Sequence, residues 1–330
     1  MLRLSPEGYN RFVQADKFNV NYGGSEANVA FSLANFDVDS AFVTKLPDNE
    51  IGQSAFNKLR QFGVDTSKII KQGDRLGIYY LEKGASQRPS KIIYDRSNSA
   101  ISNAKIDDFN WDEIFKEAEW FHFSGITPAL SDSLAEICLI ACKKAKELNV
   151  QVSCDLNYRA KLWTEEKACE VMSKLMSYVD ICIANEEDIE KVFGIKAENT
   201  NIDEGKLDYE SYKVVSKKLL NKFKLSKIAC TLRTSISASD NKWTALLYNG
   251  NDFFQSGVYD IHIVDRVGGG DSFVAGLIYG FLNDLNDKES LEFATAASCL
   301  KHSIEGDFNL VSVDEVNNLA SGNASGRVQR

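Results

Sequence analysis

The run Asp265-Arg266-Val267-Gly268-Gly269-Gly270-Asp271-Ser272-Phe273 sets three glycines and a carboxylate where a polar loop becomes the apolar, helix-like stretch Val274 to Leu282. Consecutive glycines let a backbone approach a ligand closely. The first N–H groups of a helix lack intrahelical partners and can face an anion. A carboxylate beside a bound phosphate opposes its charge, which serves no purpose for binding alone. It is useful if Asp271 takes the proton of a hydroxyl that attacks the phosphorus. The other reading is that Asp271 caps the helix, since Asp is favoured at N-caps. Two familiar glycine loops are excluded. A Walker A loop ends in Gly-Lys-Ser/Thr, whereas Gly270 is followed by Asp271-Ser272, and a dinucleotide fingerprint needs a glycine where Phe273 stands.

A second glycine turn lies near the start. Gly23-Gly24-Ser25-Glu26-Ala27-Asn28-Val29-Ala30 leads into a helical pattern with Asn28 one turn in. The Asn28 amide would serve a sugar hydroxyl. The plainer reading is a good helix start, Gly-Gly before Ser-Glu, with Asn28 merely exposed.

The elements that must hold these turns follow from the periodicities. Short β-rich runs at 40–44, 120–123, 150–154, 180–183 and 227–231 alternate with helical patterns at 26–35, 52–62, 131–148, 165–178 and 209–223. That alternation belongs to an α/β protein with a parallel sheet covered by helices on both faces. Several runs end in polar clusters: Ser124-Gly125, Asp155-Leu156-Asn157-Tyr158-Arg159 and Asn185-Glu186-Glu187-Asp188. Ligand crevices in open α/β sheets lie beyond the carboxyl ends of the strands, so these clusters are expected to converge. Residues 9–22 and 76–93 depart from the alternation and read as half-exposed antiparallel strands. They form either a separate small sheet, a lid that excludes water from the crevice, or an extension of the main sheet. No repeat or linker divides the chain, so residues 1–330 read as one domain, with a small, polar tail at 320–330 that frays.

Composition narrows the function. A formal charge of −9 argues against nucleic acid and anionic membrane as partners, because both need a basic field; an anionic substrate would be held by local arginines. The seven cysteines contain no C-x-x-C pair and read as reduced residues of a cytoplasmic protein. The three histidines, His122, His262 and His302, are too far apart in sequence to suggest a local zinc motif or triad, and read as structural. The first residues have no apolar core of a secretory signal, and no run approaches a membrane span.

Together, an early Gly-Gly-x-x-x-Asn-x-Ala and a late Asp-x-x-Gly-x-Gly-Asp resemble the two signatures of the ribokinase/PfkB carbohydrate kinase family. The resemblance covers nearly the whole chain. It is closer to the 2-keto-3-deoxygluconate kinases, through Gly77-Ile78-Tyr79, Tyr94-Asp95-Arg96, Ser124-Gly125-Ile126-Thr127-Pro128-Ala129-Leu130 and Asp155-Leu156-Asn157-Tyr158-Arg159. It implies a ribokinase-like three-layer sandwich with a mostly parallel central sheet and a small β-sheet lid, the lid strands falling at about 9–22 and 76–93. The implied reaction is ATP-dependent phosphorylation of 2-keto-3-deoxygluconate on its terminal hydroxyl, with Asp271 as base and Gly268, Gly269 and Gly270 around the transferring phosphoryl group. Substrate contacts would fall on Gly24, Asn28, Tyr79, Tyr94, Arg96, Ile126 and Arg159. Arg96 and Arg159 suit a carboxylate, although either alone reads first as half of a surface salt bridge. The nucleotide side would involve Asn185, Thr231, Arg233, Gly268 and Gly270. The implied cofactors are ATP, Mg²⁺ and a monovalent cation such as K⁺; the exposed strands of the lid point to a homodimer or higher homo-oligomer through that sheet.

The chain departs from the family pattern in several places. Asp188 stands where the family's Asn-x-x-Glu motif has Glu; its shorter carboxylate would reach Mg²⁺ through water, or simply interact with a helix dipole. Thr231-Leu232-Arg233-Thr234 lacks a glycine often found there, and Gly269 replaces an alanine. The family's first strand, ending in Gly-Glu, has no counterpart before Met1-Leu2-Arg3-Leu4. A gap in the sheet is therefore expected, and with it a start downstream of the native one. The alternatives are a kinase of fructose, ribose or 2-keto-3-deoxygalactonate, and a sugar-acid binding protein disabled by the missing strand. An NAD-dependent dehydrogenase is disfavoured by the absent fingerprint.

Overall fold

Strand-period and helix-period segments are sorted into three sheets and the helices that cover them; the structure, a computed structural model, describes residues 1–196 and 209–323. The largest sheet runs Phe253–Gln255, Asp240–Tyr248, Lys227–Ser235, Ile181–Asn185, Gln151–Asp155 and Trp120–Ser124, with Tyr259–His262 also paired to Asp240–Tyr248. Its four strands from Lys227–Ser235 to Trp120–Ser124 are parallel, so their carboxyl ends and polar clusters open on one side. Alternate residues feed two cores, as the pleat requires. Cys182, Ala184, Ile228 and Cys230 pack on one face with Leu134, Met172 and Leu219. Ile181, Ile183 and Ala229 pack on the other with Val29, Phe273 and Leu291. Helices Asp132–Glu147, Glu165–Met176 and Tyr209–Phe223 cover the first face; Ser25–Asn35, Gly269–Leu282 and Asp287–Lys301 cover the second. The result is three layers. None of the described helices is long and apolar enough to cross a membrane.

The lid is a separate four-stranded sheet in the order Phe18–Tyr22, Leu2–Pro6, Ile78–Glu82, Lys91–Asp95. Register places Asn21, Arg3, Tyr79 and Tyr94 in one cross-strand row, and Val20, Leu4, Tyr80 and Ile93 in the next. Adjacent rows point to opposite faces. Arg3 and Tyr79 are buried toward the body, whereas Val20 and Ile93 are 59% and 54% exposed on the outside. Two boundaries differ from the sequence reading. Leu2–Pro6 supplies a lid strand that the reading did not assign. Within 9–22 only Phe18–Tyr22 is strand, because Pro6 pairs with Phe18 and the chain between them must reverse, through a short 3-10 turn at Phe12–Gln14.

A two-stranded parallel sheet, Thr44–Leu46 with Ile69–Lys71, stands apart. The strand expected at 40–44 begins only at Thr44, since Ala41 makes a single bridge to Asp65. Phe42 N–H donates to Asp65 O, and Leu46 O accepts from Gln72, so the peptide groups of Ala41, Val43 and Lys45 turn the other way. They face a cavity of about 1420 Å³ that is bordered on its far side by Trp120, Phe121 and His122. Gln151 N–H donates to Glu119 O, which leaves the groups of Trp120 and His122 on the open edge. The two parallel sheets are therefore separate, with no ladder pairing between them among the described residues.

Candidate functional site

The two glycine turns meet. Gly268 takes a left-handed conformation, φ 83°, which only glycine adopts without strain, and the helix Gly269–Leu282 starts immediately after it. Asp271 therefore lies inside the first turn, and no side chain caps this helix. The capping role is excluded. Instead its carboxylate accepts from Ser25 Oγ at 2.8 Å and from Asn28 Nδ2 at 2.6 Å, across about 240 residues of chain. Burial raises Asp271 to about 6, against the pull of those two hydrogen bonds. Asn28 is not exposed: its amide serves Asp271, and its Oδ1 is buried with no partner. Space beside Gly270 is open, while Gly269 faces inward, where a Cβ would stand 2.4 Å from the His302 ring. Of the three glycines only Gly268 and Gly270 line the cavity.

Strand ends supply the opposite wall. Asn185 caps the helix Glu186–Phe193 by accepting from Asp188 N–H at 2.9 Å, and Asp188 in turn accepts from Tyr158 N–H at 3.1 Å. Burial pushes Asp188 up to about 6 against the attraction of Arg159. Asp155 is raised as well, first by burial, then by the charges of Asp188 and Asp271. Asp188 is thus more than an acid at a helix start; it ties two strand-end loops together. Thr231 lies beside Asn185 in the parallel ladder. Arg233 is exposed, and Arg266, which donates to Ala238 O at 2.9 Å, is lowered by burial and by repulsion from Arg233.

Lid and loops complete the enclosure. Tyr79 and Tyr94 face the cavity from adjacent strands, and the Arg96 guanidinium lies 4.1 Å from the Tyr94 ring centroid. The Tyr79 hydroxyl is already engaged by Asp307. Arg96 is lowered by burial and by the nearby charge of Arg159, which itself donates to Tyr158 O at 3.1 Å. Among the described residues, neither arginine is ion paired, so the salt-bridge reading fails for both. Glu26 Oε1 accepts from Ser124 N–H, Ser124 Oγ and Thr127 Oγ1 at 2.7–3.0 Å, which holds Ile126 at the rim. The cavity is lined by every anticipated site residue except Gly269.

Sequence reasoning missed Arg3, Ser25, Glu26, Asp265 and Asp307 as parts of this frame. The available signal was an arginine inside the otherwise uncharged run Leu2-Arg3-Leu4-Ser5, and a Gly306-Asp307 pair that repeats the glycine–acid pattern. His302 bonds to Ser298 O at 2.7 Å, His122 to Ser153 Oγ at 2.8 Å, and His262 pairs with Asp240 on the surface.

Comparison with known proteins gives a consistent result. The pfkB family carbohydrate kinase profile matches residues 2–309. The 2-dehydro-3-deoxygalactonokinase of Haloferax volcanii is 31% identical over 326 residues, 99% of this chain and 96% of that protein. The 2-dehydro-3-deoxygluconokinase of Bacillus subtilis is 26% identical over 91% of this chain and 86% of that one. Among solved structures, the 2-dehydro-3-deoxygluconokinase of Thermotoga maritima is 52% identical with a TM-score of 0.94, covering 98% of this chain and 97% of that chain.

Proposed function

The chain belongs to the pfkB family of carbohydrate kinases, and from that premise we propose that it phosphorylates 2-keto-3-deoxygluconate on its terminal hydroxyl, using ATP. One observation carries the choice of a sugar acid: Arg96 and Arg159 line the same cavity as Asp271, close enough to repel each other and without ion-pair partners among the described residues. A substrate carboxylate supplies the missing charge and can accept hydrogen bonds from both. A neutral sugar would leave half-buried Arg96, repelled by Arg159, without a carboxylate, whereas Arg159 is already drawn to Asp188 and Asp155. The name of the Thermotoga maritima protein at 52% identity supports the gluconate epimer; that of the Haloferax volcanii protein supports the galactonate epimer as the second reading.

Asp271 is the base in this reading. Its level of about 6 leaves it mostly ionised at neutral pH yet close enough to the working pH to accept a proton. Asn28 and Ser25 orient the carboxylate, and the unpartnered Asn28 Oδ1 is positioned to accept from a substrate hydroxyl. First-turn amides beyond Gly268 stabilise the phosphoryl group as charge develops. Thr231, Arg233 and Arg266 form the nucleotide side. Buried Asp155 and Asp188, both raised, are a donor set that a divalent cation would relieve. Asp188 and Asn185 would hold Mg²⁺ through water, and the ion would neutralise phosphate charge. Val20 and Ile93, exposed on the outer lid face, support a homodimer, for which sedimentation as a monomer would be the contrary result.

An ADP-release assay with 2-keto-3-deoxygluconate and its galactonate epimer, paired with calorimetry, tests the reading. Turnover with both acids, faster with the gluconate form, is expected. Binding of the acid without ADP release would instead describe a binding protein.

A further inference from the structure

Asp307 has none of the roles above, yet it touches each part of the frame. Its side chain is fully buried and accepts from the Tyr79 hydroxyl and from Arg3 Nη1 at 3.4 Å, so one carboxylate grips two lid strands. The same residue packs against both glycine turns. A Cβ at Gly23 would stand 2.5 Å from Asp307 Cγ, and one at Gly268 would stand 2.0 Å from Asp307 O. Arg3 continues to Asp265 at 2.5 Å, and Asp265 accepts from Val267 N–H and Gly306 N–H, each at 3.2 Å, which closes a ring back to Asp307. Buried Lys301 adds a second cation, so Arg3 and Lys301 balance Asp265 and Asp307. The next residues extend the connection: Phe308 stacks on Phe31 of the helix that carries Asn28, and Asn309 Nδ2 donates to Ser272 Oγ at 2.7 Å.

We propose that Asp307 is a positioning residue that locks the lid row Arg3–Tyr79 to the two glycine turns, so that Tyr79 and Asp271 keep one spacing across the substrate. A buried ion pair is weak grounds for stability, and its better-attested use is to fix a register. The register here is that of the lid on the catalytic loop. A loose lid changes the distance between substrate and base, and a displacement of about 1 Å costs on the order of 10²-fold in rate. This inference rests on the kinase reading only for the reaction that is assayed.

The test uses the full chain with Asp307→Asn, which keeps size and removes charge, and Tyr79→Phe, which deletes only the hydroxyl. Amide exchange is followed by mass spectrometry together with kcat and both KM values. Asp307→Asn is expected to speed exchange about tenfold at 78–82 and 265–270 but not at 151–155. It should lower kcat about 10–100-fold while the KM for ATP stays within about twofold. Tyr79→Phe should give the same exchange pattern more weakly, and the double variant should be no worse than Asp307→Asn, because both remove one interaction. Faster lid exchange with unchanged kcat, reduced kcat with unchanged exchange, or additive losses would each overturn the proposal. If Asp307→Asn exchanges faster everywhere, it has lost its fold, and Tyr79→Phe alone decides on the same criteria. Rates are read on whichever sugar the wild type phosphorylates, so an error in the sugar acid appears as a different wild-type preference and leaves these ratios intact.

Discussion

Where the lid meets the glycine loop, polar groups are buried and paired: Arg3 with Asp265 at 2.5 Å, Tyr79 with Asp307, Asp271 with Ser25 and Asn28. Where strand ends Asn185 and Thr231 meet the same cavity, Arg233 and Arg266 repel each other, and neither is ion paired among the described residues. The first region is organised before any ligand arrives. In the second, two cations repel each other, and Asp265 offsets this only in part at Arg266. Changes to the organised region should therefore cost rate, whereas changes to the cationic region should cost nucleotide affinity.

The largest effect is expected at the base itself. Asp271→Asn should lower kcat about 10²–10⁴-fold with little change in either KM; a loss confined to KM would make Asp271 a binding group and erase the contrast. Arg159→Ala should weaken binding of the acid by about 1.5–3 kcal/mol, the scale of a charge-assisted hydrogen bond, and equal affinity measured by calorimetry would remove the clamp. Arg233→Ala should raise the KM for ATP about threefold to tenfold, an effect that shrinks in high salt because the side chain is exposed. A drop in kcat instead would show that both regions are organised alike.

The pH dependence sharpens the difference further. Protonation of Asp271 should depress kcat/KM below about pH 6, since burial raises this carboxyl to about 6. Asp188 titrates at about the same pH, so a limb steeper than a single proton assigns part of the loss to it. Stability should change in the opposite direction to activity. A carboxyl whose folded-state pKa lies above its ordinary 3.8 destabilises the fold once ionised, a cost that is absent below about pH 4 and complete above about pH 6. Asp271→Asn should thus be more stable at pH 7.5, by up to about 3 kcal/mol for a carboxyl raised from 3.8 to about 6, and equal to wild type at pH 4. Lower stability at pH 7.5, measured by denaturant titration, would mean that the bonds to Ser25 and Asn28 outweigh burial.

Much of this architecture was legible because periodicity reports burial directly. The runs at 150–154 and 180–183 correspond to Gln151–Asp155 and Ile181–Asn185, whose alternate side chains enter the two cores. Leu2–Pro6 was harder to assign, since a five-residue strand containing a buried arginine has no apolar signature, and its partners Phe18–Tyr22 and Ile78–Glu82 are distant in sequence. At the site, glycine turns and strand-end polar clusters carry local signals. Asp307 carries almost none, because its role depends on four segments, around Arg3, Gly23, Tyr79 and Gly268, that only the folded chain brings together.

The central claim, that this cavity selects a sugar acid for phosphorylation on a hydroxyl deprotonated by Asp271, is tested most directly by kcat/KM for ADP release across 2-keto-3-deoxygluconate, its galactonate epimer, fructose and ribose. The account predicts that both acids exceed both neutral sugars by at least about tenfold, as expected for 1.5–3 kcal/mol of charge-assisted binding. A neutral sugar matching or exceeding the acids would contradict it.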